Sequence, residues 1–269
     1  MLFFLHIPKT AGTTFYDVVK KNYPKFIKPK IGKNAKQYLD KSLTSESKVA
    51  IRLPGGYNTS QEVLKEILKL PVDKQNRIGF IGGHVGYGLH EHCDAKVDYI
   101  SFIRDPEKRI ISDYKEHCKP GRFFYEELKK SDFQCQKYIE LLKKNNLDNL
   151  MTRQLAGPYN FFEKERNEVS DILLAQALLN CQNISFFDIN KFNEGLLYIS
   201  RKFKWNRLRY DLKNKAIKVE SEIDHKLFDE VIKYDRIIYE KIKVKNSRKF
   251  SSVGKIIFMI KSNSFLNRL

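Results

Sequence analysis

The sequence predicts an α/β protein with a P-loop-like central parallel sheet flanked by helices and with a helix-rich C-terminal half. Two observations support this prediction: short apolar runs alternate with segments of helical periodicity, and the second half of the chain has mostly helical patterns. Because strands that alternate with helices usually pair in parallel, we expect the helices to cover the sheet.

Four apolar runs are predicted to form core strands. The first, Leu2–Ile7, ends at Pro8, as a buried strand does where it meets a loop. The other three are Arg77–Ile81, Val97–Ile103 and Asn183–Asp188. Residues 20–36 hold seven lysines together with two prolines and a glycine, so we expect a solvated connection there.

Local signals mark the start of three helices. From Thr13 onward the apolar residues share one helical face. Thr59 and Glu62 have the spacing of a capping box, and Asp105-Pro106 places a capping side chain before a first-turn proline. The helix after Asp105 is predicted to reach His117. Further helices are predicted at 122–144, 168–181, 190–203 and 222–244.

Composition restricts the function classes. The chain has 269 residues, with 50 Lys and Arg against 32 Asp and Glu, which gives a formal net charge of +18. Such an excess predicts an anionic partner. With 42% hydrophobic residues, the chain is not a disordered basic tail. No apolar stretch reaches the roughly 18 residues of a membrane span, and the four cysteines form no C-x-x-C pair.

The chain is predicted to form one domain over residues 1–245, followed by a basic tail over residues 246–269. The tail contains the apolar segment Ile256–Ile260, so it could contact an anionic membrane as an amphipathic helix or pack on its own domain. The first residues lack the pattern of a signal peptide, which predicts a cytoplasmic protein.

The first chemical site is the segment His6–Thr14, where the first strand leads through a tight loop into a helix. Backbone N–H groups at a helix N-terminus bind anions, and Gly12 lets the chain approach a phosphate. Lys9 precedes this glycine, whereas a nucleotide triphosphatase places its lysine after the last glycine of the loop. The predicted phosphate-binding residues are Pro8, Lys9, Thr10, Ala11, Gly12, Thr13 and Thr14. The alternative is an ordinary turn in which Thr13 is only an N-cap.

The second site follows the strand Val97–Ile103. A nucleotide triphosphatase places a Mg²⁺-binding Asp at such a strand end, but here the residue is Arg104. Its guanidinium suits a second phosphate, and Ser112 could donate a hydrogen bond from the following helix. Two separate phosphate sites suggest a nucleotide with phosphates at both ends of its ribose. The alternative is that Arg104 and Arg109 only form surface ion pairs.

Together these segments resemble the motifs of the carbohydrate sulfotransferases, in the heparan-type, Golgi group. The 5′-phosphosulfate loop of that family is similar to Ile7–Thr14, and its 3′-phosphate motif is similar to Arg104-Asp-Pro-x-x-Arg-x-x-Ser112-x-Tyr114. The resemblance continues in Gly82–Gly88 and Asn149–Gly157, and more faintly in Asp235–Tyr239. It therefore covers most of residues 2–245.

The resemblance implies 3′-phosphoadenosine 5′-phosphosulfate (PAPS) as donor, 3′,5′-ADP as product and a sugar hydroxyl as acceptor. His84 matches the Gly-His position of the family's proposed base, in a glycine-rich segment that we expect to be a flexible loop. An imidazole with an ordinary pKa of about 6.5 suits proton transfer near neutrality. Lys9 is expected to stabilise the transferred group without a metal. Eukaryotic members carry an N-terminal membrane anchor, whereas the first core strand here begins at residue 2, which favours a soluble, bacterial-type enzyme.

Several assignments stay open from the sequence. His90, Glu91, His92 and Cys93 could form a metal cluster, but their spacing fits no zinc pattern, so no metal is expected. His6 is a core residue or a support for the active site. Arg52 and Arg153 either contact a ligand or serve the fold.

The favoured acceptor is an acidic glycan bound beside His84, although the positive charge could merely keep the protein soluble. The alternative functions are an ATP-dependent P-loop kinase and a non-catalytic basic protein that binds nucleic acid or another polyanion. No nucleic-acid-binding signature is present, so nucleic acid is not an expected partner.

Overall fold

The computed structural model describes residues 1–29, 39, 41–44, 47–88, 91, 96–157, 168–211 and 225–249. Six strands form one sheet: β1 (Leu2–Leu5), β2 (Lys25–Ile27), β3 (Val49–Arg52), β4 (Ile78–Gly83), β5 (Asp98–Ile103) and β6 (Ile184–Asp188). Their order is β2-β3-β4-β1-β5-β6, and every neighbouring pair is parallel. The predicted α/β class with a parallel central sheet is confirmed.

Helices connect the strands and cover the sheet. In the first half they are α1 (Gly12–Asn22), α2 (Tyr57–Leu68), α3 (Val72–Gln75) and α4 (Pro106–His117). In the second half they are α5 (Tyr125–Lys130), α6 (Cys135–Lys144), α7 (Leu150–Ala156), α8 (Asp171–Asn180), α9 (Phe192–Phe203) and α10 (Asp229–Lys249). Short 3₁₀ turns lie at Cys181–Asn183, Ile189–Lys191 and His225–Phe228.

The central strand β1 is buried on both faces, which explains its continuous apolar sequence. Phe3 and Leu5 pack in the same apolar cluster as residues of α2, on one face of the sheet. Leu2 and Phe4 point to the other face, because side chains alternate along a strand, and they pack with Phe15 of α1. The sheet therefore has a hydrophobic core on each side.

Two short strands were not predicted from the sequence. Residues 20–22 continue helix α1, and Lys25–Ile27 form the edge strand β2 inside the segment expected to be a solvated connection. Val49–Arg52 form β3, which pairs with both β2 and β4. Runs of three or four residues are too short to show a period of two, so their strand character depends on pairing with neighbours.

Two predicted helix features are also wrong. The segment 122–144 is divided into α5 and α6, because Asp132 and Phe133 have φ angles of 52° and 54°, and two successive left-handed residues end a helix. Helix α2 begins at Tyr57 after Gly56, without a capping box. Thr59 Oγ1 instead donates a hydrogen bond to the Gly56 carbonyl at 2.8 Å.

None of the helices in the described part of the chain is long and apolar enough to span a membrane. The cytoplasmic location and the single domain over 1–245 stay predictions. Helix α10 extends to Lys249, four residues beyond the predicted domain end. The rest of the predicted tail, including Ile256–Ile260, lies outside the described residues, and so does its predicted membrane contact.

Candidate active site

The residues predicted to carry the chemistry meet at one edge of the sheet. In a parallel sheet the carboxyl ends of all strands lie at the same edge, with about 4.8 Å between neighbours. His84 follows β4, the loop with Lys9 follows β1, and Arg104 follows β5. Because β4, β1 and β5 are consecutive in the sheet, the two predicted phosphate sites and the predicted base lie side by side.

The loop after β1 is shaped by two left-handed residues and one glycine. Lys9 and Ala11 have φ angles of 65° and 61°. Thr10 is fully buried, and its hydroxyl donates a hydrogen bond to the Ile7 carbonyl at 2.7 Å. A Cβ atom on Gly12 would lie 1.9 Å from His6 Nε2, so this position has no room for a side chain. Gly12 is therefore required by the packing of His6.

Helix α1 starts at Gly12 with an open N-terminus. Ala11 is its N-cap, and no side chain of the described residues caps the first turn. Thr13 is consequently not the N-cap, which removes the ordinary-turn interpretation of this segment. The first backbone N–H groups of an uncapped helix are available to an anion. Thr13 is exposed at this end, whereas Thr14 is buried. Pro8 has no N–H group and contributes only shape.

Lys9 lies beside a carboxylate that sequence reasoning did not identify. Its Nζ is 3.3 Å from Glu116 Oε2 on α4, and Glu116 also pairs with Lys119 and Arg122. Although burial acts in the opposite direction, the hydrogen bond from Lys119 and the charges of Lys9 and Arg122 lower the pKa of Glu116 to about 2. Three cations thus share one carboxylate, which leaves a local excess of positive charge beside the loop.

Arg104 connects the two predicted phosphate sites. Its Nη1 donates a long hydrogen bond of 3.5 Å to the Lys9 carbonyl. Burial, followed by the nearby charge of Arg109, lowers the pKa of the Arg104 guanidinium, so an anion placed here would relieve an unfavourable charge. Ser112 is half-buried on α4, one helical turn before Glu116 and therefore on the face that meets Lys9.

His84 is a half-buried residue in contact with His6. The two imidazole rings stack with centroids 4.2 Å apart, and His84 Nδ1 lies 2.8 Å from the His6 carbonyl oxygen. A carbonyl oxygen only accepts, so Nδ1 carries the proton and Nε2 holds the lone pair. Burial lowers the pKa of His84 to about 4, and the charge of Arg52 acts in the same direction. His84 is therefore neutral at pH 7 and able to accept a proton at Nε2.

This state of His84 gives a prediction for the free protein. Between pH 7.5 and pH 5 the imidazole C2 proton resonance of His84, assigned by its loss in His84→Asn, should stay at the position of the neutral ring. The reason is that protonation occurs only near the pKa of about 4. The unfolded chain protonates near 6.5, so His84 should also lower the free energy of unfolding as the pH falls from 6.5 towards 4. A titration midpoint near 6.5 in the folded protein contradicts this description.

Glycines in front of His84 belong to the sheet, not to a flexible loop. Gly82 and Gly83 are the last residues of β4. A Cβ on Gly82 would lie 2.9 Å from the Tyr16 ring, and one on Gly83 would lie 2.6 Å from the Leu53 side chain. The strand therefore holds His84 in a defined position.

Gln154 is a buried residue that sequence reasoning missed. Its Nε2 donates hydrogen bonds to the carbonyls of His6 at 3.2 Å and Val85 at 2.9 Å. Its own backbone carbonyl accepts from the Tyr87 N–H at 2.9 Å. Helix α7 thus holds the backbone that follows His84 and the His6 carbonyl that accepts from its ring. The family resemblance over 149–157 was the signal for this segment, and it did not single out Gln154. Arg153 is fully buried and bonds Asp148, so it serves the fold.

Asp235 of α10 supplies the N-terminal cap of helix α7. Its buried carboxylate accepts from the N–H groups of Met151 and Thr152, at 3.2 and 2.8 Å, and from Thr152 Oγ1 at 2.8 Å. The buried Arg109 lies 3.8 Å away, and it also lies 3.8 Å from Asp113. Burial raises the pKa of Asp235, although Arg109 and the hydrogen bonds act in the opposite direction. Because Arg109 is buried, the alternative in which it only forms a surface ion pair is wrong.

Of the metal cluster considered from the sequence, His90, His92 and Cys93 lie outside the described residues. Within the ranges that the structure describes, no three His, Cys, Asp or Glu side chains come close enough to hold a metal ion.

A parallel sheet with an uncapped helix N-terminus after β1, an arginine after β5 and a histidine after β4 is the arrangement of a P-loop-like α/β protein. The family model described as "Sulfotransferase family" matches residues 1–241, and the chain belongs to that family. The comparison with curated proteins gives no match. The predicted family is confirmed, which favours sulfuryl transfer over the kinase and polyanion-binding alternatives.

Proposed function

We propose that this sulfotransferase uses PAPS as its donor and transfers the sulfuryl group to a hydroxyl of an anionic glycan. The observation that carries the proposal is the placement of a neutral histidine beside the Lys9 loop, with Arg104 bonded to the opposite side of that loop. Three neighbouring strands then carry a base, a helix end that can bind one anion and an arginine that can bind a second anion.

For the donor, the chain offers two separate groups of cationic and N–H donors. The start of α1 and Lys9 suit the 5′-phosphosulfate, and Arg104 with Ser112 suits the 3′-phosphate. Lys9 is paired with Glu116 at 3.3 Å, so it exchanges this carboxylate for the donor when the nucleotide binds. Thr10 contributes through its backbone, because its hydroxyl is bonded inside the loop.

The chemical step follows the in-line displacement of phosphoryl transfer by analogy. His84 Nε2 takes the proton of the acceptor hydroxyl, whose oxygen forms a bond to sulfur. The bond from sulfur to the 5′-phosphate oxygen breaks with its electron pair, and Lys9 and the N–H groups of α1 stabilise the charge that develops there. The products are the sulfated sugar and 3′,5′-ADP. No residue in this scheme requires a metal, so turnover should survive EDTA.

The experiment that tests the donor class is a thermal-shift series with adenosine nucleotides. A ligand that binds only the folded state raises the melting temperature in proportion to the logarithm of its concentration over Kd. We expect 3′,5′-ADP to stabilise the protein selectively over 5′-AMP and ATP. Stabilisation by ATP that depends on Mg²⁺, with none by 3′,5′-ADP, contradicts the proposal and favours the kinase alternative.

Arg104→Ala should remove the preference for 3′,5′-ADP over 5′-AMP. Loss of a charge-assisted contact to the 3′-phosphate costs about 1.5–3 kcal/mol of binding free energy, and 5′-AMP lacks that phosphate. The measurement is the affinity of both nucleotides for the wild-type protein and the variant. Arg201→Ala, which removes an exposed arginine of α9, is the matched control and should change neither affinity. If Arg104→Ala weakens both nucleotides equally, Arg104 does not bind the 3′-phosphate.

The acceptor is proposed to be acidic because the formal net charge of +18 exceeds what one nucleotide needs. The apparent KM for such an acceptor should rise steeply with salt, since exposed charges are screened over about 8 Å at 0.15 M ionic strength. Neutral glycans of matched length should be poor substrates. If a neutral glycan is turned over equally well and without salt dependence, the proposal of an acidic acceptor is contradicted. The assignment to the sulfotransferases is not affected by that result.

A further inference from the structure

Arg52 lies on the side of His84 opposite to the proposed donor site. It is the last residue of β3 and pairs in register with Gly82 of β4, two residues before His84. Along the carboxyl edge of the sheet the order is therefore Arg52, His84, the Lys9 loop and Arg104. Strand β3 is three steps from β5, or about 14 Å at the usual strand spacing. The donor groups and Arg52 thus flank the candidate base from opposite sides.

The Arg52 guanidinium is half-buried and lacks an anionic partner in the part of the chain that the structure describes. Within the described residues it forms no ion pair and donates no hydrogen bond, and its contact is with the Tyr16 ring, 4.5 Å from the centroid. Arginine carries five N–H donors, and leaving them unsatisfied in a half-buried position is unfavourable. Arg153, by comparison, is bonded to Asp148. The Arg52 side chain therefore has the donors and the charge to bind an anion.

Tyr16 holds this guanidinium in place. The Tyr16 ring is buried, lies 5.6 Å from the His6 ring and occupies the space left by the missing side chain of Gly82. Its hydroxyl is buried without a hydrogen-bond partner among the described residues. Cation–π contact with a fixed aromatic ring restricts the guanidinium before any ligand arrives, which lowers the entropy lost on binding.

We propose that Arg52 binds a carboxylate or sulfate group of the acceptor glycan and so places a neighbouring hydroxyl against His84. The inference depends on the proposed function, because the donor must occupy the β1 and β5 side for Arg52 to face the acceptor. Both anions fit the planar guanidinium through two parallel N–H···O bonds. Arg52 is thus the residue that gives the enzyme its preference for anionic over neutral acceptors.

The test compares Arg52→Gln with the wild-type enzyme on two matched pairs of acceptors. The first pair is heparosan oligosaccharide and its carboxyl-reduced form, and the second is keratan sulfate oligosaccharide and its desulfated form. In the pair that contains the preferred anion, Arg52→Gln should raise KM for the anionic member by about tenfold to a hundredfold. KM for the neutral member should change less than about twofold, so the preference disappears. The pair in which the preference disappears shows whether Arg52 binds a carboxylate or a sulfate of the acceptor.

Two further variants and a nucleotide titration separate acceptor binding by Arg52 from a general effect of charge or of misfolding. Arg52→Lys keeps the charge without the planar fork and should lose less than Arg52→Gln. Arg201→Gln on α9 removes an equal charge elsewhere and should leave KM unchanged. Affinity for 3′,5′-ADP should be the same in Arg52→Gln and wild type, which also shows that the variant is folded.

Equal changes of KM for both members of each pair overturn the inference, because they indicate a structural role for Arg52. Weaker binding of 3′,5′-ADP by Arg52→Gln overturns it as well, since Arg52 would then contact the donor. A wild-type protein that binds 3′,5′-ADP but discriminates in neither pair also overturns the role of Arg52 and leaves the donor assignment standing. A wild-type protein that fails to bind 3′,5′-ADP overturns the proposed function itself.

Discussion

His84→Ala should lower kcat for sulfuryl transfer by about 10²–10⁴-fold and leave the affinity for 3′,5′-ADP nearly unchanged. This range is what a positioned general base contributes. The structure supports the assignment because Nδ1 is bonded to the His6 carbonyl at 2.8 Å, which directs the lone pair to Nε2. The ring follows β4 directly and is stacked on His6, so its orientation does not depend on substrate.

His84→Asn is the variant that separates the chemical role from the structural one. The Asn amide can still donate to the His6 carbonyl, so the local fold is kept while the base is lost. We expect the same loss of kcat as in the alanine variant, with an unchanged melting temperature. A loss below about tenfold in either variant, or an equal loss of turnover and nucleotide affinity, contradicts a role as general base.

Asp235→Ala should lower the free energy of unfolding by about 3–5 kcal/mol, as removal of one partner of a buried charged pair does. The carboxylate is fully buried, caps helix α7 through Met151 and Thr152, and lies 3.8 Å from Arg109. Its removal leaves the helix end and a buried guanidinium without their shared partner. Urea denaturation followed by circular dichroism measures the change.

The matched control for this prediction is Asp229→Ala on the same helix. Asp229 is exposed, and its ion pair with Arg236 is a surface contact of 2.7 Å, so the variant should change stability by less than about 1 kcal/mol. If both variants destabilise the protein equally, the loss of stability comes from any change in helix α10 and not from the cap on helix α7. If Asp235→Ala is as stable as wild type, the tertiary cap contributes little.

Much of the fold could be predicted from local patterns. Strand β1 is apolar throughout because both of its faces are buried, and Asp105 caps α4 by accepting from the Lys108 N–H at 3.0 Å, as its position before Pro106 predicts. The edge strand β2 and its neighbour β3 could not be predicted, since three or four residues carry no period. The division of 122–144 depends on two left-handed residues, Asp132 and Phe133, which have no glycine to mark them.

The candidate site was predictable in its parts but not in its connections. The loop at Lys9, the arginine at 104 and the histidine at 84 each follow an apolar strand, so their meeting at one edge follows from parallel pairing. The contact of Lys9 with Glu116 joins residues 107 positions apart. Gln154 likewise reaches the His6 carbonyl across 148 positions. Neither contact could be predicted from the local sequence, because each residue, taken by itself, is an ordinary polar residue.

The sequence by itself determined the α/β class, the loop between β1 and α1, the arginine that follows β5 and the sulfotransferase family, because these depend on short local motifs. Only the tertiary structure decided the order of the strands, the tautomer of His84, the cap that Asp235 provides and the position of the Arg52 guanidinium, which lies against Tyr16 without an anion among the described residues. Each of these depends on which groups, distant in the chain, are buried next to each other, because a buried charge or N–H group is stable only beside a suitable partner. Packing across the sheet brings such groups together, and no local sequence pattern indicates which groups will meet.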